Sequence, residues 1–174
     1  LLQLLNFAEV SYGTLGAKEN CCGDMVDKIG AADVAKDLEN KNTQMFLNED
    51  VRKILTVSPH CLNTFSKDYE KLEEVDKIHY SELLVNLIES GSIRPVNAIN
   101  ARVTYHDPCY LGRHNNIYEA PRQVLQSIPD LELVEMKNNR DRSFCCGGGG
   151  GGLCKDQSEN VGLGEIRIQE ALDT

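Results

Sequence analysis

The sequence predicts an α/β fold of two similar strand-helix halves with a largely parallel sheet. Short runs rich in β-branched residues alternate with segments whose apolar residues recur at helical spacing. The cysteine motifs follow the expected strands, and ligands of parallel sheets collect at the carboxyl ends of strands. We therefore expect the cysteine motifs at strand ends, with residues 1–95 forming one half and residues 96–174 the other.

Each element has its own local signal. Alternating or continuous apolar runs indicate strands, and helical stripes indicate helices, with Pro59 in the first turn of one helix, Ser81 as the N-cap of another and Pro129 ending a third. The connector covers residues 92–100. Expected strands are 10–15, 51–57, 78–80, 101–105 and 131–136, and expected helices are 1–8, 31–48, 62–69, 81–89 and 119–128.

Composition excludes several functions. With 18 basic and 27 acidic residues, the net charge of -9 argues against nucleic acid as a partner. Apolar runs are too short for a membrane span, and the opening residues lack the features of a signal peptide. Seven cysteines without export signals indicate reduced thiols in a cytoplasmic protein, and such thiols serve metal binding or redox chemistry.

The most informative stretch is the pair Cys145-Cys146, which runs directly into six glycines. Cys109 lies upstream in His-Asp-Pro-Cys-Tyr-Leu-Gly-Arg, with 35 residues between it and Cys145. Adjacent thiols cannot both enter one packed core, and glycines permit close backbone approach to a bound group. Because thiolates are soft ligands, the stretch predicts a metal or cluster site.

A second, related pattern occurs in the first half. In Cys21-Cys22-Gly23, the second cysteine is separated by 35 residues from Ser58-Pro-His-Cys61, which has the form of Cys-x-x-Cys with its first cysteine replaced by Ser58. The chain thus contains two incomplete copies of one cysteine unit. We expect it to be the middle of a longer protein, with a cysteine upstream and a Cys-x-x-Cys downstream.

These motifs resemble the CCG domain of iron-sulfur oxidoreductases, such as the heterodisulfide reductases. The resemblance implies a 4Fe-4S type iron-sulfur cluster. By the same resemblance, Cys21, Cys22 and Cys61 are ligands of a first site, and Cys109, Cys145 and Cys146 are ligands of a second. Backbone N–H groups from Gly147 onward could donate hydrogen bonds to sulfur.

The resemblance also implies a function. The chain is expected to transfer electrons between a redox partner protein or subunit and a small-molecule disulfide or a quinone-linked chain, in the cytoplasm or beside a membrane partner on its cytoplasmic side. His106 is the candidate catalytic residue, because an imidazole could hydrogen-bond a cluster sulfur or relay a proton. A turn histidine satisfied by its neighbours is the alternative.

Two other functions stay open. Thiolate sets also hold tetrahedral zinc in interaction modules, although adjacent cysteines argue against that arrangement. A folded fragment that has lost both clusters is the other alternative, because a serine hydroxyl at position 58 is a poor ligand for soft metal chemistry. The first site is therefore expected to be empty or labile.

Overall fold

A computed structural model describes residues 1–152 and 162–174. Helices and strands alternate, so the predicted α/β class is confirmed. Within those two ranges, no helix combines the length and the apolar character needed to cross a membrane. The helices are α1 (Leu2–Phe7), α2 (Asp24–Lys28), α3 (Ala32–Asn48), α4 (Pro59–Lys67), α5 (Tyr80–Glu89), α6 (Glu119–Gln126) and α7 (Leu163–Leu172). The strands are β1 (Lys53–Thr56), β2 (Asp76–His79), β3 (Ala101–Val103) and β4 (Leu131–Leu133).

The strands form two separate parallel pairs. In the first, β1 runs beside β2 from Lys53 opposite Asp76 to Thr56 opposite His79. In the second, β3 runs beside β4 from Ala101 opposite Leu131 to Val103 opposite Leu133. Parallel neighbours need a crossover, which α4 provides in the first pair and α6 in the second. The chain thus uses the same strand-helix-strand unit twice.

Helix starts follow local chemistry. Pro59 occupies the first turn of α4, where its missing N–H costs nothing. The prediction of Ser81 as the N-cap of α5 is wrong, because His79 holds that position. The His79 ring Nδ1 accepts from the Ser81 N–H at 3.4 Å, and the Glu82 carboxylate accepts from the His79 N–H at 3.1 Å. This capping box starts the helix earlier than expected.

The predicted strand over residues 10–15 is wrong. The segment is largely exposed and pairs with neither sheet, and it leads into a 3-10 turn at Gly16–Lys18. A strand needs a neighbouring strand for its backbone hydrogen bonds, and β1 and β2 pair with each other. Consequently the first cysteine pair follows a turn, whereas Cys61 and Cys109 follow β1 and β3 as expected.

Two apolar clusters stabilise the fold. One lies entirely within the first half, and the other joins the halves, because Val124 of α6 packs against the residues of α1 and α5. The first cluster comprises Cys22, Phe46, Ile54, Phe65, Tyr69, Leu72 and Val75. The second comprises Leu5, Leu84, Leu87 and Ile93.

A buried arginine organises the second half. Arg122 on α6 is 1% exposed and donates to both oxygens of Asp107 at 2.6 and 2.8 Å and to both oxygens of Glu135 at 2.6 and 2.9 Å. The backbone N–H of Arg140 also donates to Asp107, at 2.7 Å. Asp107 follows β3 and Glu135 follows β4, so one guanidinium fixes the chain beyond both strands. Bidentate geometry of this kind is what makes a buried ion pair stable.

Replacing this arginine should be costly. Arg122→Met leaves the Asp107 carboxylate buried without its partner, and we expect a loss of about 3–5 kcal/mol in the free energy of unfolding. Urea denaturation followed by circular dichroism measures the change. The matched control is Arg52→Met, whose side chain is 85% exposed and pairs with Asp50 at the surface, and which should change the stability by less than ~1 kcal/mol. Equal effects of the two substitutions would contradict the assigned role of Arg122.

Candidate functional site

Both Cys-Cys-Gly tripeptides adopt the same turn. Gly23 has a φ of 88° and Gly147 a φ of 78°, in the left-handed region that favours glycine. The Gly23 N–H donates to Cys21 Sγ at 3.4 Å, and the Gly147 N–H donates to Cys145 Sγ at 3.3 Å. The repeat inferred from spacing is therefore also a repeat in backbone geometry, and it directs a hydrogen-bond donor at the first sulfur of each pair.

Each of these glycines lies against a helix. A Cβ atom at Gly23 would stand 3.5 Å from the Ala35 carbonyl oxygen of α3, and one at Gly147 would stand 3.3 Å from Leu163 Cβ of α7. The helix α7 thus takes the place in the second half that α3 takes in the first. No pattern in the sequence indicated α7, but the repeat itself would have predicted a helix after the second tripeptide.

The first cysteine set brings two thiols into contact. Cys22 is buried, Cys61 half-buried and Cys21 exposed. A hydrogen bond from the Cys22 thiol lowers the pKa of Cys61 to about 7, and the Ser58 side chain lowers it as well. The same bond raises the pKa of Cys22. Ser58 therefore lies beside Cys61, at the position where the cysteine motif has a thiol.

Polar side chains hold the backbone of the first pair. Asn42 of α3 donates to the Cys21 carbonyl oxygen at 2.9 Å and to the Tyr69 hydroxyl at 3.0 Å. The Tyr69 hydroxyl in turn donates to the Cys22 carbonyl oxygen at 3.1 Å. Asn42 and Tyr69 are both buried, so these hydrogen bonds hold the backbone of the first tripeptide from inside the fold.

The second cysteine set is more open. Cys109 is half-buried after β3, whereas Cys145 and Cys146 are exposed. Burial raises the pKa of the Cys109 thiol, and the neighbouring thiols of Cys145 and Cys146 raise it further, so the three share one region. In the part of the chain that the structure describes, however, no three His, Cys, Asp or Glu side chains are arranged to hold a single metal ion.

Hydrogen bonds join the two segments that carry this set. The Ser143 hydroxyl donates to the Asp107 carbonyl oxygen at 3.0 Å, and Arg113 donates to the Ser143 carbonyl oxygen at 3.0 Å. Ser143 lies two residues before Cys145, and Asp107 lies two residues before Cys109. The ion pair between Asp107 and Arg122 therefore holds the segment before Cys109 in place and, through the Ser143 hydroxyl, the segment before Cys145.

His106 is held by a second buried arginine. Arg167 of α7 donates from Nε to His106 Nδ1 at 3.0 Å. Burial lowers the pKa of His106, and the positive charges of Arg167 and Arg113 lower it further. Cys154, which matches no part of the cysteine pattern, lies outside the described residues.

Aromatic side chains connect the two cysteine sets. His60, next to Cys61, stacks on Tyr110, next to Cys109, with ring centroids 4.1 Å apart. The His60 Nδ1 lies 2.6 Å from an oxygen of the buried Asp24 carboxylate. No motif in the sequence indicated this contact, although the acidic residue directly after the first Cys-Cys-Gly, Asp24, was a signal that a basic group faces it.

This arrangement fits an iron-sulfur cluster. Thiols from separated segments share one region in the second set, glycine N–H groups donate to the first sulfur of each Cys-Cys pair, and the glycine turns leave room for close approach of a bulky group.

Comparison with known proteins decides the family. The family described as "Cysteine-rich domain", CCG, matches residues 1–66 and 103–174, which is well over half of the chain. The chain belongs to the CCG family. The family resemblance read from the cysteine motifs is confirmed, and both tripeptides of this CCG chain fall within the matched residues.

Relatives of the CCG chain are redox proteins by name. It is 37% identical over 171 residues to the probable iron-sulfur-binding oxidoreductase FadF of Bacillus subtilis, and 38% identical over 148 residues to the EtfAB:quinone oxidoreductase of Syntrophomonas wolfei. It is 34% identical over 179 residues to one subunit of the dihydromethanophenazine:CoB--CoM heterodisulfide reductase of Methanosarcina barkeri. These matches cover 98%, 84% and 99% of the chain.

The relatives are much longer proteins. The CCG chain spans 24% of the Bacillus protein, 21% of the Syntrophomonas protein and 44% of the Methanosarcina protein. No solved structure matches the chain.

The glycine turn offers a direct test of the site geometry. Gly147→Ala forces a Cβ into a left-handed conformation and against Leu163, and we expect it to cost about 1–2 kcal/mol of folding free energy. Thermal unfolding measures the loss. The control is Gly13→Ala, because a Cβ at Gly13 meets nothing within 4 Å. A Gly147→Ala variant as stable as the control would show that the turn does not need glycine.

Proposed function

We propose that this CCG chain is the cysteine-rich part of an iron-sulfur oxidoreductase subunit and that it transfers electrons through a cluster of the 4Fe-4S type. The observation that carries the proposal is the pair of matching Cys-Cys-Gly turns, each with a glycine N–H donating to a cysteine sulfur. Such donors stabilise thiolate charge and tune the potential of iron-sulfur centres.

The second cysteine set is the proposed site of the functional cluster. Cys109, Cys145 and Cys146 would supply thiolates, and Gly147 would donate its N–H to sulfur. The exposure of Cys145 and Cys146 leaves this site open to a reaction partner. A bound cluster supplies one-electron transfer, and the residues of this chain hold the ligand segments in place through Asp107 and Ser143.

The first set, Cys21, Cys22 and Cys61, is the proposed weaker site. Ser58 stands beside Cys61 and offers a hydroxyl, a harder and less acidic ligand than a thiol. We propose that residues 1–95 and 96–174 are two copies of one unit, and that the first copy holds its cluster loosely or not at all.

Partners and substrates are inferred from the relatives' names. One relative is named as a subunit of a heterodisulfide reductase, and another is named as an oxidoreductase between EtfAB and a quinone. We propose a redox partner protein or subunit for this chain, with a small-molecule disulfide or a quinone-linked chain at the other end. A further relative is named as a probable membrane-anchored ferredoxin of Chromohalobacter salexigens, and from that name we propose a membrane partner for this chain. We propose that this chain works beside such a partner on the cytoplasmic side.

A zinc module is the second candidate function. Zinc needs four ligands around one ion, and the described residues contain no group of three donors suited to one ion. Spread thiols with N–H···S bonds favour the cluster. A folded chain that has lost both clusters would bind neither metal.

Metal analysis of anaerobically purified protein separates these functions. We expect iron and acid-labile sulfide in similar amounts and little zinc, with at least a roughly fivefold loss of iron in Cys146→Ser because a soft thiolate ligand is removed. Ser58→Cys should increase bound iron by restoring a soft ligand to the first set. The control is Cys154→Ser, since this cysteine lies outside the family pattern, and it should retain wild-type iron.

Three other results of the metal analysis would contradict parts of this proposal. Zinc without sulfide would support the interaction module, and a folded protein without either metal would support the cluster-less alternative. If Ser58→Cys left iron unchanged while Cys22→Ser and Cys146→Ser lost equal amounts, the proposed ranking of the two sites would be wrong.

A further inference from the structure

Arg167 is a buried arginine that no motif in the sequence singles out. It is 4% exposed, in the middle of α7. Its NH1 group donates to the Asn138 carbonyl oxygen at 2.8 Å and to the Glu170 carboxylate at 2.7 Å, and its Nε donates to His106 Nδ1 at 3.0 Å. Burying a charged side chain costs folding free energy unless its hydrogen-bond partners compensate. The role of Arg167 therefore follows from the groups that its guanidinium contacts.

The contact with His106 fixes the protonation of the imidazole. A guanidinium carries only donors and stays charged in proteins, so His106 Nδ1 must accept and cannot carry a proton. The single proton of the neutral ring then lies on Nε2. Since only one ring nitrogen of a neutral imidazole can accept, His106 is left with a donor at Nε2 and no free acceptor.

The two positive charges near His106 act in the same direction as this contact. Arg167 and Arg113 are positive and oppose a second proton on the ring, while Asp107 is negative and favours it. The Asp107 carboxylate, however, is engaged by both NH groups of Arg122. Glu170 is engaged by Arg167 itself. The surroundings therefore support a neutral ring, in agreement with the geometry.

The same guanidinium touches both segments of the second cysteine set. His106 lies three residues before Cys109, and the Ser143 hydroxyl, 3.4 Å from Arg167 NH2, lies two residues before Cys145. The helix that carries Arg167 also packs against Gly147 of the Cys-Cys-Gly turn. Arg167 is thus linked to each segment that would surround a bound cluster.

We infer that Arg167 is a positioning residue that holds His106 neutral with its proton on Nε2, so that His106 serves the second cysteine set as a hydrogen-bond donor. This inference rests on the proposed function for the presence of a cluster there. Of the two roles expected from the sequence, it selects the hydrogen bond to a cluster sulfur over the proton relay, because a relay needs a ring nitrogen that is free to take up a proton, and Nδ1 is occupied.

Nitrogen NMR of the histidine ring tests the tautomer in the protein without any cluster. In wild-type protein labelled with ¹⁵N-histidine, we expect His106 to show the Nε2–H tautomer throughout about pH 6 to 8, the range in which an unperturbed imidazole titrates. In Arg167→Met, Nδ1 loses its donor, and the ring should titrate closer to the ordinary pKa of about 6.5 with mixed tautomers. Arg142→Met, an exposed arginine one residue before Ser143, should leave the His106 signals unchanged.

A wild-type His106 that titrates near its ordinary pKa of about 6.5, or that carries its proton on Nδ1, would overturn the inference. This result needs no variant, so the test stands even if Arg167→Met fails to fold.

The donor role has its own readout in protein that has bound iron and sulfide. Hydrogen bonds to sulfur favour the reduced, more negative state of an iron-sulfur centre, so His106→Leu should make its reduction potential more negative. His106→Gln can place an amide N–H near the position of Nε2 and should remain closer to the wild-type potential. Equal potentials in all three proteins would overturn the donor role. Protein that binds no iron would instead contradict the proposed function, and the NMR result would still decide the tautomer.

Discussion

The second half of this chain depends on the ion pairs of one buried guanidinium. Arg122 occupies both oxygens of Asp107 and both oxygens of Glu135, and these two acids stand just beyond the two strands of the second sheet. Burial would raise the pKa of Asp107, but the hydrogen bonds from Arg122 and from the Arg140 backbone bring it below its ordinary value. The carboxylate is thereby kept charged. The Asp107 backbone carbonyl also accepts a hydrogen bond from the Ser143 hydroxyl, which ties the segment before Cys109 to the segment before Cys145.

The two halves solve the same structural problem with different side chains. In the first, Asn42 and Tyr69 hold the carbonyl groups of the cysteine pair. In the second, Ser143 and Arg167 hold the segments that precede the cysteines. The glycine turn, with its N–H directed at sulfur, is the part that both halves share. The two copies therefore share the geometry of the Cys-Cys-Gly turn, while the residues that support it differ.

Local signals in the sequence were sufficient to predict much of the fold. Alternation and apolar spacing predicted β1, β4, α3 and α5, because these elements bury one face, and Pro59 marked the start of α4. The cysteine motifs predicted the family. The segment 10–15 was misassigned, since its apolar residues suit a strand but no neighbouring strand is available to pair with it among the described residues. Whether a segment finds a neighbouring strand to pair with depends on the whole fold.

The supporting charges could not be predicted in this way. Arg122 and Arg167 look like surface residues in the sequence, because burial of an arginine depends on acids and carbonyl groups brought from distant segments. Likewise, the stacking of His60 on Tyr110 joins residues 50 positions apart. These long-range contacts determine how the two cysteine sets are placed, and they determine the tautomer of His106.

We propose that the second cysteine set binds a redox-active iron-sulfur cluster. Electron paramagnetic resonance of the anaerobically prepared protein, poised in turn at oxidising and reducing potentials, tests it most directly. We expect an iron-sulfur signal in one redox state that disappears in Cys145→Ser and persists in Cys154→Ser. A protein that is silent at every potential, or a signal that survives Cys145→Ser unchanged, would contradict the claim.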